Sequence, residues 1–440
     1  MGESLRGPPR RPDLPSVDFD WSTETWQEVG RRLLDLAVSA STDWSERRPS
    51  PPQTVDVRAP FRNPLPRSPV DVDRLVERLK RDVIPAAAYN GHPRWFAYIT
   101  ASPVPISVVG DLLASALNQN AGLWRVAPSG SAIELETIDW IKEMLGFPQT
   151  GEGIFVSGGQ MANIVAQAVL RDQKAPWDTR RYGTRGPTPD APQLRIYASR
   201  EAHYCHQQAA EFLGLGRDAI RDVPVDEVYR MRTDALVAMI AEDRARGDLP
   251  IAVVGTAGTV GTGAVDPLGE LLAVARAEDL WFHVDGAYGA FAVLAPSRPR
   301  DLEAITEADS VACDPHKWLY SPVGAGVVLI RNEGLLERSF AFHAKYLETD
   351  GSVEQVDLLD RSPENSRPSR AMKVWLALQA YGCDGYRDMI ERNLLLAAYM
   401  EQLVESTPGL VLAAPRQLSI VCWRVEPAGL TDPTQLERLQ

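Results

Sequence analysis

Five short, mostly apolar runs recur between residues 86 and 340, and helical stretches separate them. The runs are 154–156, 195–198, 251–254, 280–284 and 326–330. Because apolar side chains occupy successive positions, both faces of each predicted strand are expected to be covered by helices. This pattern favours an α/β fold with a mostly parallel central sheet. In such sheets, ligands bind at the carboxyl ends of the strands.

The composition limits the classes of protein to which the chain can belong. With 440 residues, of which 44% are hydrophobic and 24% charged, it can bury a large core in more than one structural unit. The formal net charge of −13 argues against a nucleic-acid partner, because phosphate binding requires a basic surface. No apolar run approaches the roughly 18 residues of a membrane helix, so no membrane partner is expected.

The cysteines indicate the compartment. Cys205, Cys313, Cys383 and Cys422 are far apart and form no CxxC pair. A disulfide framework is therefore not expected, and no metal ligands are assigned. The first residues also lack the apolar core of a signal peptide. This pattern fits a reducing compartment, and we expect the protein to be cytoplasmic.

Residues 1–85 are expected to form an N-terminal arm rather than a domain of their own. Helical spacing of apolar residues predicts one helix over 23–40, and a second is expected over 70–84. A proline-rich connection at 48–69 separates the two. Because such an arm has few neighbours within its own chain, we expect it to pack on a partner subunit.

Residues 86–375 are expected to form one large domain, and residues 376–440 a small C-terminal domain. Within the large domain, residues 344–370 are polar and lack clear periodicity. A connection of this length is uncommon in a compact domain, so we predict a mobile lid there. The elements predicted toward the C-terminus are helices over 369–381 and 384–405 and strands near 409–413 and 418–424.

A lysine and an aspartate follow two neighbouring predicted strands. Lys317 lies in the run CDPHKW, and Asp285 lies in the run HVDGAYG. Their spacing corresponds to about one strand–connection–strand unit of a parallel sheet. Pyridoxal phosphate requires an amine that forms an imine and a carboxylate beside its pyridinium nitrogen. The pair therefore predicts an enzyme that uses this cofactor.

Two glycines and two histidines extend this prediction. Gly158 and Gly159 precede a predicted helix, whose free N–H groups and dipole would favour the cofactor's phosphate. His203 follows another strand and is positioned to stack on the ring, and His316 is positioned to donate to the phosphate. Each residue alone has an ordinary explanation, such as a tight turn, a helix cap or a core histidine. Their common placement at strand ends supports the prediction.

The motifs resemble, in order, those of the group II pyridoxal-phosphate-dependent decarboxylases, the family of aromatic-L-amino-acid and glutamate decarboxylases. The resemblance runs from about residue 92 to residue 423. Its landmarks are HPRWFAY (92–98), ELE (134–136), SGGQMAN (157–163), EAH (201–203), TAGT (256–259), HVD (283–285), DPHKW (314–318) and SRAMKVW (369–375).

The resemblance implies an α/β fold of type I, similar to aspartate aminotransferase, and a homodimer whose active sites are built from both subunits. It implies that Lys317 forms the imine, that Asp285 pairs with the pyridinium nitrogen and that His203 stacks on the ring. These three are the predicted catalytic residues. Family members usually continue beyond the position of Gln440, so the small C-terminal domain is expected to be incomplete or a compact variant.

The resemblance also implies cofactor and substrate contacts. The predicted cofactor-binding residues are Gly158, Gly159, Gln160, His203, Thr256, Asp285, Ala287, Asp314, His316 and Lys317. Tyr98 and Thr100 match the segment that lines the substrate pocket. Gln160 and Tyr204 depart from the family pattern, since many relatives have small hydroxyl residues there.

The expected reaction is decarboxylation of an L-amino acid to the amine and CO₂. Aromatic residues at 95–98 and Trp124 favour an aromatic or bulky substrate side chain. The family usually carries a lid tyrosine that protonates the carbanion, but the chain has no tyrosine between Tyr346 and Trp375. This absence leaves an alternative open, in which oxygen attacks the carbanion and an aldehyde forms. A non-catalytic scaffold is disfavoured by the presence of Lys317, Asp285 and His203.

Overall fold

The computed structural model describes residues 21–43, 47–52, 54–96, 98–342, 355–430 and 432–439. The chain divides into two compact units, residues 1–97 and residues 98–440. In the first unit, helix α1 (Thr23–Thr42) confirms the helix predicted over 23–40. Helix α2 (Val72–Arg78) continues into a π-helical turn, Leu79–Val83, where the second helix was predicted.

Seven strands form the central sheet of the second unit. They are β1 (Glu152–Val156), β2 (Leu194–Ser199), β3 (Ile220–Val223), β4 (Leu249–Thr256), β5 (Trp281–Gly286), β6 (Ser310–Cys313) and β7 (Gly326–Ile330). Their order in the sheet is β1-β7-β6-β5-β4-β2-β3. Among these seven strands, β7 pairs antiparallel with β6 and with β1, and the other pairs are parallel. The predicted α/β class with a mostly parallel sheet is therefore confirmed.

Helices cover both faces of this sheet. The α-helices described in the second unit are α3 (Pro105–Leu117), α4 (Pro128–Leu145), α5 (Gly159–Lys174), α6 (Thr179–Tyr182), α7 (Cys205–Phe212), α8 (Thr233–Ala245), α9 (Leu268–Ala277), α10 (Pro315–Trp318), α11 (Leu335–Phe340), α12 (Ala371–Ser406) and α13 (Pro433–Leu439). Phe282 and Val284 pack into one core cluster with α4, α8, α9 and α12. Trp281 packs into the other, with α5 and α7. Among the helices described, none has the length and apolarity needed to cross a membrane.

The C-terminal residues differ in part from the sequence prediction. Helix α12 contains a non-helical residue, Gly382, at φ 66°, which separates the two helices predicted there. Strand β8 (Leu410–Leu412) pairs antiparallel with β9 (Trp423–Val425). The strand predicted over 418–424 is therefore present only at its end. Between β8 and β9, the Ser419 N–H donates to the Tyr288 hydroxyl at 3.0 Å, which fixes this segment against the large sheet.

A buried ion pair fixes the last part of the predicted lid. Residues 344–354 of that lid lie outside the described residues, and residues 355–370 are described. The Arg367 Nη2 group donates to Glu134 Oε1 at 2.7 Å, and both side chains are fully buried. The Phe155 N–H donates to the same oxygen at 3.0 Å. Because loss of one partner of such a pair typically costs about 3–5 kcal/mol, Arg367 ties this segment firmly to β1 and α4.

Candidate active site

The sheet brings the ends of five strands to one edge. Strand β7 is antiparallel to both of its neighbours, so β1 runs in the same direction as β2, β4, β5 and β6. Thr256 ends β4, Asp285 lies near the end of β5, and Asp314 follows β6. Gly158 follows β1 and His203 follows β2. The predicted site residues therefore collect where open α/β sheets bind ligands.

Lys317 lies in the short helix α10, which begins at Pro315, a residue suited to the first helical turn. Its Nζ atom is 3.1 Å from Asp314 Oδ2. Burial raises the pKa of Asp314 above its ordinary value, while the Lys317 ammonium and the His316 imidazole oppose that rise. The other carboxylate oxygen, Oδ1, is buried and has no hydrogen-bond partner among the described residues. An amine and a carboxyl group thus lie together at the end of β6.

Asp285 is a buried carboxylate with donors on both oxygens. The Ala287 N–H donates to Oδ1 at 3.1 Å, and His206 Nε2 lies 3.0 Å from Oδ2. Burial pushes the pKa of Asp285 upward, but the hydrogen bonds from His206 and from the Ala287 amide hold that pKa below its ordinary value. The carboxylate is therefore suited to pair with a protonated ring nitrogen.

The turn at Gly158 and Gly159 has the features of an anion site. Helix α5 begins at Gly159 and has no side-chain hydrogen bond at its N-cap, so no cap side chain accepts from its first-turn N–H groups. A Cβ atom on Gly159 would lie 2.8 Å from Asp314 Oδ2 and 2.9 Å from the Ala287 Cβ. A side chain at this position would therefore collide with two other predicted site residues.

His203 and His316 border the same region. The Cys205 N–H donates to His203 Nδ1 at 3.1 Å, which fixes the direction of the ring. Burial lowers the pKa of His203. The negative charge of Asp285 opposes this shift, and the positive charge of Lys317 adds to it. His316 Nδ1 lies 2.6 Å from the Ala325 carbonyl oxygen, an acceptor, so the proton is on Nδ1. His316 Cε1 would be 3.4 Å from a Cβ atom on Gly158.

The remaining predicted residues are less closely assembled. The Thr256 N–H donates to buried Asp266 at 2.8 Å, while Thr256 Oγ1 is buried without a hydrogen-bond partner in the described chain. The Gln160 side chain donates to Gln208 at 3.0 Å. Tyr98, at φ 60°, and Thr100 lie at the surface, and 87% of Tyr98 is exposed.

The sequence prediction missed a buried polar layer beneath Asp285. Asn163 Oδ1 accepts from His283 Nε2 at 2.7 Å, and the Ser310 hydroxyl lies 2.8 Å from His283 Nδ1. Burial lowers the pKa of His283 to about 3, so this imidazole is neutral. His206 belongs to the same layer. Its position three residues after His203, in the first turn of α7, is the signal that the sequence offers for it.

Three potential metal ligands also meet in this layer. One ligand atom each from Cys205, His206 and Asp285 lies within 4.8 Å of the others. The cysteine spacing gave no indication of this cluster. The hydrogen bond from His206 to Asp285 accounts for the close approach of those two groups. Burial raises the pKa of the Cys205 thiol well above its ordinary value, so Cys205 is a neutral neighbour of the carboxylate.

The set of donors and acceptors at this edge fits pyridoxal phosphate. The uncapped N-terminus of α5 suits the phosphate, and the ionised Asp285 suits a pyridinium N–H. Lys317 supplies an amine at the same edge. The buried Thr256 hydroxyl, which lacks a partner in the described residues, is a further polar atom available to a bound group. Each requirement of the cofactor thus has a counterpart in this chain.

Comparisons with known proteins agree with this chemistry. A family model described as "Pyridoxal-dependent decarboxylase conserved domain" matches residues 56–426. An aromatic-L-amino-acid decarboxylase of Bacillus atrophaeus is 33% identical over 429 residues, which covers 96% of this chain and 86% of that protein. A cysteine sulfinic acid decarboxylase of Mus musculus is 30% identical over 406 residues, which covers 91% of this chain and 81% of that protein. The crystal structure of mouse CSAD matches with a TM-score of 0.86 at 28% sequence identity. The match covers 94% of this chain and 86% of that chain.

Replacing Lys317 tests the predicted attachment point. We expect Lys317→Ala to abolish covalent attachment of pyridoxal phosphate, because the variant lacks the amine at this edge. Borohydride reduction followed by intact-mass measurement would detect attachment. Lys174→Ala is a matched control, since Lys174 bonds to Asp279 on the protein surface and should not affect attachment. Retained attachment in Lys317→Ala would contradict the assignment.

Proposed function

This chain belongs to the pyridoxal-dependent decarboxylases, and from that premise we propose that it decarboxylates an L-amino acid with an aromatic or bulky side chain. The enzyme is a pyridoxal-phosphate-dependent carboxy-lyase. The observation that carries the proposal is the meeting of Lys317, Asp285 and the Gly158–Gly159 turn at one sheet edge. The products would be the amine and CO₂.

Each proposed role follows from the position of the side chain. Bound pyridoxal phosphate supplies an electron sink that lets the bond between Cα and the carboxylate break. Asp285 keeps the ring nitrogen protonated, and loss of either partner of such a buried pair costs about 3–5 kcal/mol. Lys317 supplies the attaching amine and carries a proton at Nζ. His203 would cover one face of the bound ring, and Ala287 would lie on the opposite face.

The proposed phosphate contacts are the backbone of Gly158, Gly159 and Gln160, with His316 beside them. Thr256 and Asp314 complete the proposed cofactor contacts through their buried oxygen atoms. Tyr98 and Thr100 are proposed to contact the substrate. The aromatic preference is supported by the exposed phenol of Tyr98 and by the similarity to a bacterial aromatic-L-amino-acid decarboxylase.

A second candidate reaction rests on the sequence of the predicted lid. No tyrosine occurs between Tyr346 and Trp375, where the family usually carries the residue that protonates the substrate carbon. Without that donor, O₂ and water would be consumed, and the products would be an aldehyde, ammonia, CO₂ and hydrogen peroxide. We favour decarboxylation because His203 is present as a positioned imidazole beside the site.

The two reactions can be separated by their products. With L-tryptophan, L-tyrosine and L-phenylalanine as probes, we expect one amine to form for each CO₂ released, without peroxide. A screen of the other amino acids, including cysteine sulfinic acid, tests the aromatic preference by CO₂ release. Aldehyde and peroxide in a one-to-one ratio with CO₂, without amine, would contradict the proposal and support the oxidative alternative.

We also propose that the enzyme is a cytoplasmic homodimer. The compartment is supported by its cysteines, all four of which are free. The dimer is supported by α3, whose buried Ser107 and Gly110 face the fold while its opposite side is apolar and exposed. That side presents Val108, Val109, Leu112, Leu113 and Leu117. A contiguous apolar stripe of this kind is typical of a protein interface.

Charged substitutions on this stripe test the dimer. We expect Leu112→Glu combined with Leu113→Glu to convert a dimer into a monomer, because two negative charges without partners would be buried at the interface. Sedimentation velocity would measure the change. Val237→Glu is the control, since Val237 is a similarly exposed residue on α8, at 45% exposure. A wild-type monomer, or a double variant that remains dimeric, would contradict the proposed interface.

A further inference from the structure

A fully buried imidazole lies directly behind Asp285. His206 is in the first turn of α7, none of it is exposed, and its Nε2 atom is 3.0 Å from Asp285 Oδ2. The Ala287 amide binds the other oxygen. The Cys205 thiol is 3.9 Å from Oδ2, which makes it at most a weak donor. His206 is therefore the strong side-chain donor to this carboxylate in the described structure.

The ionised Asp285 carboxylate can only accept, so His206 is the donor in this hydrogen bond, and Gln167 indicates the state of the other ring nitrogen. The Gln167 amide nitrogen lies 3.1 Å from His206 Nδ1 and 3.5 Å from the His206 carbonyl oxygen. A carbonyl oxygen can only accept, so the NH₂ group of Gln167 faces His206 and Nδ1 is an acceptor. The His206 proton is consequently on Nε2, where it is donated to Asp285. Gln167 and His206 come from different helices, α5 and α7, so the arrangement is set by tertiary packing.

From this geometry we propose that His206 is a positioning residue, which holds the Asp285 carboxylate in the orientation that meets the ring nitrogen of pyridoxal phosphate. The inference rests on the proposed function, since that assigns Asp285 to the ring nitrogen. With Oδ2 held by His206 and Oδ1 by Ala287, the carboxylate plane cannot rotate freely. Removing the imidazole would leave Oδ2 buried without its donor, and Asp285 would then hold the ring-nitrogen proton less strongly.

The test compares two cofactors that differ at one atom. Pyridoxal phosphate carries the ring nitrogen, and its 1-deaza analogue carries carbon there. We expect His206→Leu to weaken binding of pyridoxal phosphate by about tenfold or more, as for loss of a hydrogen bond to a charged group. Binding of the 1-deaza analogue should be almost unchanged. Equilibrium dialysis with the full-length chain measures both dissociation constants.

Two further variants separate positioning from stability. His206→Gln keeps an amide N–H close to the position of Nε2 and should restore most of the affinity for pyridoxal phosphate. His283→Leu removes an equally buried imidazole that has no hydrogen bond to Asp285, so we expect lower thermal stability without selective loss of pyridoxal phosphate binding. If His206→Leu weakens both cofactors equally, or neither, the inference is overturned.

Asp285→Asn distinguishes failure of this inference from failure of the proposed function. If Asp285→Asn leaves the affinity for pyridoxal phosphate unchanged, Asp285 is not the ring-nitrogen partner and the site assignment itself fails. If Asp285→Asn weakens binding but His206→Leu does not, the site assignment stands and His206 has no positioning role.

Discussion

The chemistry proposed for this chain depends on a negative charge that Asp285 keeps in a buried position. Burial alone would protonate the carboxyl group, because a low-dielectric interior disfavours its charged form. The His206 imidazole and the Ala287 amide reverse that tendency and lower the pKa of Asp285. The lowered pKa gives a fixed anion at the end of β5. The anion lies at the same sheet edge as the Lys317 amine and the N-terminus of α5.

Much of this arrangement could be predicted from the sequence, because its signals are local. Continuous apolar runs located β1, β2, β4, β5 and β7, and the motifs after them gave Asp285, Lys317 and Gly159. No apolar run marked the other two strands, and one of them, β6, was inferred only from the placement of Lys317 at a strand end. Strand β3 reads IRDV, with polar side chains at its centre, and β6 has only four residues. Neither run is long or apolar enough to stand out from loop sequence.

The supporting contacts could not be predicted, because they join residues that are distant in sequence. His206 meets Gln167 and Asp285 only through the packing of α5 and α7 against β5. Arg367 and Glu134 form a fully buried ion pair although they are 233 positions apart in the sequence, and no periodicity or motif predicts that they pair. A histidine or arginine in isolation gives no indication of its partner. The chemical groups were thus predictable from sequence, whereas the contacts that orient them required the fold.

The protonation state of the cofactor's ring nitrogen tests the central claim most directly. The ¹⁵N chemical shift of ring-labelled pyridoxal phosphate in the holoenzyme reports whether that nitrogen carries a proton. We expect the shift of a protonated pyridinium at neutral pH, and the shift of an unprotonated ring in Asp285→Asn. An unprotonated ring nitrogen in the unaltered enzyme would contradict the account, because the buried Asp285 carboxylate would then have no cation to stabilise.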